Sequence, residues 1–161
     1  MRFKGIIVIS ALLFSSVSRA DDSWSGFLAK DMARKYELLN ERVDYCKNQR
    51  KLFNYDSPIN SEWFNSLSLP QRQKVILFSF DYASSQCSSK ERGEYTESML
   101  RYVSISGDET PYKEWKSLSV RSADEIADVN SLGAKQLVDF STTYFNAPFD
   151  GLKMLKVLNL Y

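Results

Sequence analysis

Between Trp24 and Cys46, apolar side chains recur every three or four positions, at Trp24, Leu28, Met32, Tyr36, Leu39, Val43 and Cys46. That spacing lines one side of an α-helix, whereas a strand would repeat its buried residues every two. The intervening faces carry Lys30, Asp31, Arg34, Lys35, Glu37, Glu41 and Arg42, which suit water. One long amphipathic helix from about Ser25 to Phe53 is expected, and a rod of that length constrains whatever packs on it. From Asn54 to Asn60 the period is lost, and Pro58 cannot continue a helix.

The rest of the chain reads in the same way. Six glycines and four prolines among 161 residues leave few breaks, and aromatic residues make up 14 %. Ser61 to Leu67 fits a short turn placing Trp63, Phe64 and Leu67 against a core. Ser68-Leu69-Pro70-Gln71 combines an N-cap serine, a first-turn proline and a capping-box glutamine. It opens a helix to about Gln86 whose stripe is Leu69, Gln73, Ile76, Leu77, Phe80, Ala83, Ser84 and Cys87. A third helix starts near Ser88 or Ser89, with Glu91 boxed on Ser88, and turns Tyr95, Met99, Leu100 and Val103 inward. After a loop at Ile105 to Thr110, a short helix carries Tyr112, Trp115 and Leu118. A box at Ser122 to Glu125 starts the next, and Leu132 to Asn146 is helical up to Pro148. From Phe149 to Tyr161, Leu152, Leu155 and Leu158 fit a helical stripe, while the branched content also fits a terminal strand; the helix is preferred. The fold class expected is all-α, a compact bundle of about five to six helices.

The first twenty residues carry an export signal. Arg2 and Lys4 form a positive start, Ile6 to Phe14 a short apolar run, and Ser18-Arg19-Ala20 a small-x-small cleavage site. The run is well short of the about 20 residues that span a bilayer, so cleavage after Ala20 is expected, with no stable membrane anchor afterwards. Residues 21–161 then form a single helical domain beginning Asp21-Asp22-Ser23, in the periplasm or outside the cell. Arg2, Lys4 and Arg19 leave with the leader and no acid does, so the formal net charge moves from +1 to −2. Such a surface has no electrostatic footprint for nucleic acid and no basic cluster for anionic membranes.

Cys46 and Cys87 are the only cysteines. Each continues the apolar stripe of its own helix near that helix's C-terminal end, and export places both in an oxidising compartment. A redox or metal pair would sit close in sequence near a helix start, as C-x-x-C does. A structural disulfide between two neighbouring helices is therefore expected. Two cysteines without a histidine make a poor zinc site, and neither a metal nor a cofactor is expected.

The chain has no histidine, which removes Ser-His-Asp and Cys-His arrangements and the commonest base near neutral pH. No phosphate-binding glycine loop or G-x-S-x-G is present. Catalysis would fall to carboxylates. Asp81, between Phe80 and Tyr82, is the first to consider as a desolvated general acid, against the plainer reading of a solvated or ion-paired residue at a helix edge. Glu62, Glu91 and Glu94 have weaker claims. No second carboxylate pairs with Asp81 at an informative spacing, and an enzyme is not expected.

Trp24, Trp63, Phe64, Tyr112 and Trp115 lie in or beside short elements and loops. Exposed aromatics on a helical scaffold anchor protein partners, although such rings also close the ends of bundles. Tyr112 and Trp115, then Trp63 and Phe64, are the partner-binding candidates. In type, the chain resembles small bacterial periplasmic accessory proteins, without a shared residue-level motif. It is expected to be a non-enzymatic exported helper binding a protein client, as a chaperone or secretion factor. The alternatives are an immunity protein or inhibitor presenting the Asp108-Glu109 loop, and a carboxylate-dependent cell-wall hydrolase.

Overall fold

The computed structural model of the chain describes residues 17–119 and 123–161, and among these there is no strand. Arg2, Lys4, the Ile6 to Phe14 run and Ser122 of the expected capping box lie outside the described residues. Six helices of ten residues or more and two short ones follow one another: α1 (Val17–Gln49), α2 (Glu62–Ser66), α3 (Leu69–Cys87), α4 (Ser89–Ser106), α5 (Thr110–Ser119), α6 (Ala123–Leu132), α7 (Ala134–Tyr144) and α8 (Gly151–Val157). A single 3₁₀ turn, Arg50–Leu52, extends α1 toward the Pro58 loop. The protein is an all-α bundle.

α1 is 33 residues long, about 50 Å at the rise of an α-helix. Its main partner is α4. Lys35 bonds to Glu94 and Arg42 faces Glu91 at 3.9 Å, so ascending positions on one helix meet descending positions on the other. The two helices are antiparallel. Leu39, Tyr95 and Met99 form the buried centre between them, flanked by Met32, Val43, Val103 and Trp115.

The second and larger core is built on α3. Val75, Ile76, Ser79 and Ala83 are buried there and meet Leu137, Phe140 and Ser141 of α7 and Met154 and Leu155 of α8. Ser79 and Ser141 touch hydroxyl to hydroxyl at 2.9 Å with no exposed surface. Each hydroxyl also bonds the carbonyl one turn back in its own helix, that of Val75 or Leu137. Two small, internally satisfied side chains let α3 and α7 approach closely. Phe53, Phe145 and Phe149 stack over the end of this core, with the last two rings 4.3 Å apart.

The cysteines meet as the sequence implies. Cys46, in the last turn of α1, is disulfide-bonded to Cys87, the last residue of α3. The bond ties the α1–α4 pair to the α3 core. The capping signal at Ser68 is real: Gln71 Oε1 accepts from the Ser68 backbone N–H at 3.0 Å.

Other local expectations are corrected. The Ser88–Glu91 box does not form, because buried Ser88 turns its hydroxyl to the Ser84 carbonyl and Glu91 faces Arg42. Leu100 points to solvent from α4. Leu69 and Leu77 are exposed on α3, where Val75 and Ser79 are buried instead. The Leu132 to Asn146 helix is broken at Gly133, whose φ of 86° lies in the left-handed region. The terminal segment is helical, but its buried side is Gly151, Met154 and Leu155, leaving Leu152 60 % exposed. Gly151 sits in this register because a Cβ there would stand 3.2 Å from the Phe80 side chain.

Candidate functional site

The turn between α4 and α5 sets up the most developed surface feature. Gly107, at φ 73°, closes α4 in the left-handed conformation that glycine tolerates. Ser106 Oγ accepts from the Asp108 N–H at 3.1 Å, and the Asp108 carboxylate accepts from the Thr110 N–H at 3.0 Å and from the Tyr102 hydroxyl at 3.2 Å. Hydrogen bonds from Thr110 are the main reason the Asp108 carboxyl is held below its ordinary value. The chain reverses within three residues, and α5 packs back on α4.

Reversal lays Trp115 on the α1–α4 seam. Its indole meets the Tyr95 ring edge-on at 5.0 Å, and Tyr95 in turn meets Tyr36 at 5.3 Å. The Arg92 guanidinium lies 5.3 Å over the indole, within cation–π range. Arg92 Nε is buried without a hydrogen-bond partner among the described residues. Burial raises the Tyr95 hydroxyl above its ordinary pKa. Around these residues runs a groove of about 470 Å³, with Met32 and Tyr36 on the α1 side and Leu118 on the α5 side. Leu118 is 83 % exposed and Tyr36 half exposed.

The aromatic candidates separate. Trp115 is at the base of this groove, and Tyr112 is exposed one turn earlier on α5. Trp63 and Phe64 lie on α2 against the other core. Phe64 stacks on Phe140 at 4.9 Å and is only 4 % exposed, so its ring is committed to packing. Trp63 meets the edge of Phe140 at 5.6 Å and is partly buried. Trp24 stacks on Phe27 at 5.2 Å, both rings half exposed on α1. Tyr36 falls on the apolar stripe of α1 by its spacing yet is half exposed. It touches Tyr95 on one side and stays open to the groove on the other.

The carboxylate candidates are placed as follows. Asp81 is exposed on α3, so its carboxylate is open to water and not desolvated between the neighbouring rings. It lines a hollow of about 150 Å³ together with Asp128, which pairs with Lys74. Glu94 is held below its ordinary value, first by the hydrogen bond from Lys35 and then by that residue's charge. In the Asp108-Glu109 loop, Asp108 caps its own turn and Glu109 pairs with Lys113 at 3.1 Å. Among the described residues, no helix is long and apolar enough to cross a membrane.

No family model, curated protein or solved structure matches this chain.

Proposed function

We propose that this protein is an exported, non-enzymatic accessory protein that holds a protein client in the α1–α4–α5 groove, as a chaperone or secretion helper would. One observation carries the reading: Trp115, Tyr36, Tyr95, Arg92 and Met32 converge on a single groove whose rim, Leu118, is almost wholly exposed. Tryptophan, tyrosine, arginine and methionine are the residues that concentrate in the centres of protein interfaces. The groove offers apolar contact beside polar side chains such as Asn40 and Glu114. An amphipathic helix or a short apolar segment of an exported chain fits such a lining. The leader read at residues 1–20 and the Cys46–Cys87 disulfide are consistent with an oxidising compartment. The inhibitor reading draws less support, since both acids of its loop are engaged locally.

The test is site-specific crosslinking in the cells that make the protein. A photoreactive side chain at position 118 should trap one exported protein that the same probe at exposed position 152 does not trap. Leu118→Glu should abolish its co-purification without lowering the melting temperature, and the recovered protein should begin at Asp21. Identical adducts at 118 and 152, or undiminished co-purification of Leu118→Glu, would reject the groove as the client site.

A further inference from the structure

A second cleft lies on the other side of α1 and has a different chemistry. It occupies about 460 Å³ where α1, α3 and the α7–α8 connection meet, within the range of roughly 300–1,000 Å³ common for small-ligand sites. Arg42, Tyr45 and Gln49 face it from α1, at spacings of three and four that put them on one side of that helix. Tyr82 and Gln86, four apart, face it from α3, and Asn146 from the connection. The disulfide holds the two helices here, with Cys87 itself in the wall and the cysteine Cα atoms 6.1 Å apart. The walls are thus fixed before any ligand arrives, which lowers the entropy lost on binding.

The lining selects a ligand type. Among the described residues no acid lines the cleft, and the one base that does, Arg42, is already occupied. Arg42 Nε donates to the Cys87 carbonyl at 2.8 Å, the Glu91 carboxylate stands 3.9 Å away, and the guanidinium lies 4.6 Å over Tyr45. A charged ligand would find no net opposite charge. By contrast, Gln49, Gln86 and Asn146 each present a donor and an acceptor, and none of their side chains bonds to another described residue. Tyr45 is half exposed and Tyr82 partly so, each offering a flat apolar face beside a hydroxyl. Paired donors and acceptors match vicinal hydroxyls, and aromatic faces match the C–H face of a pyranose ring.

We propose that this cleft binds a neutral, hydroxyl-rich ligand, a short pyranose oligosaccharide. The site is separate from the client groove and does not rest on it.

Titration calorimetry of the oxidised protein from Asp21 onward would use maltotetraose, cellotetraose and tri-N-acetylchitotriose, with a neutral end-blocked tripeptide as comparison. At least one saccharide should bind with a Kd below about 1 mM. Gln86→Ala with Asn146→Ala, both at exposed positions, should weaken it at least tenfold at unchanged melting temperature, whereas Leu118→Glu should leave it intact. Which saccharide binds would distinguish a cell-wall type of glycan from a free glucan. Absence of saccharide binding, binding of the tripeptide alone, or unchanged affinity in the double variant would overturn the proposal.

Discussion

Lys35 makes folding sensitive to acid through Glu94. The hydrogen bond and the charge hold the carboxyl below its ordinary value of 4.5 in the folded state, so the unfolded chain binds that proton more readily. This stability is fully present above about pH 4.5 and is lost as the pH falls through the lower, folded value. Asp108 acts in the same direction through Thr110. Urea unfolding of Glu94→Gln against pH should therefore show a shallower acid limb than the unaltered protein, and added salt should narrow the difference. Superimposable limbs would remove Lys35 as the cause. Neither this pair nor the Ser79–Ser141 contact was legible from spacing. A serine in a helix reads as surface, and it becomes core material only when a second small residue faces it from another helix. Leu152 departs from its expected stripe for the reverse reason, since it keeps the apolar period while remaining 60 % exposed.

At the level of elements, helical period was a strong guide to where helices run and a weak one to their ends and register. The long α1 and the short α5 follow from it, whereas the start of α3 follows from the capping residues at Ser68 and Gln71. In α8 the apolar residues are too dense to define one face, and the register is chosen by Gly151 fitting against Phe80. The break between α6 and α7 was missed because one glycine inside a continuing period looks tolerable. Its φ of 86° is what ends α6. Gly133→Ala should destabilise the protein by about 1–2 kcal/mol, the cost of holding an L-residue in that conformation. The added methyl would also have to displace the Gln136 side-chain amide, which can swing away. A denaturant midpoint unchanged from that of the unaltered protein would contradict this account.

For the whole molecule, the disulfide joins the α1–α4 pair to the core built on α3. The pairing was legible because the chain has only two cysteines. The identity of the helix lying along α1 was not, since proximity of Cys46 and Cys87 points equally to α3, while the long contact is with α4. Likewise Tyr112 and Trp115 were legible as candidates, but their groove exists only once the Gly107 turn lays α5 across the α1–α4 seam. Replacing both cysteines by serine should cost about 4 kcal/mol for a closed loop of some forty residues, read as a fall in ΔG of urea unfolding. In hydrogen exchange, amides of α1 and α4 should then open more often than those of α3 and α7. A uniform change across all four helices would indicate one undivided core.

The pairing of α1 with α4 also sets an order of assembly. A chain emerging N-terminus first exposes the apolar side of α1 while its covering helix, Ser89–Ser106, is still to come. Cys87 arrives immediately before that helix. In an oxidising space the bond to Cys46 can therefore fasten the end of α1 at the moment α4 appears, setting the alignment in which the two helices close along their length.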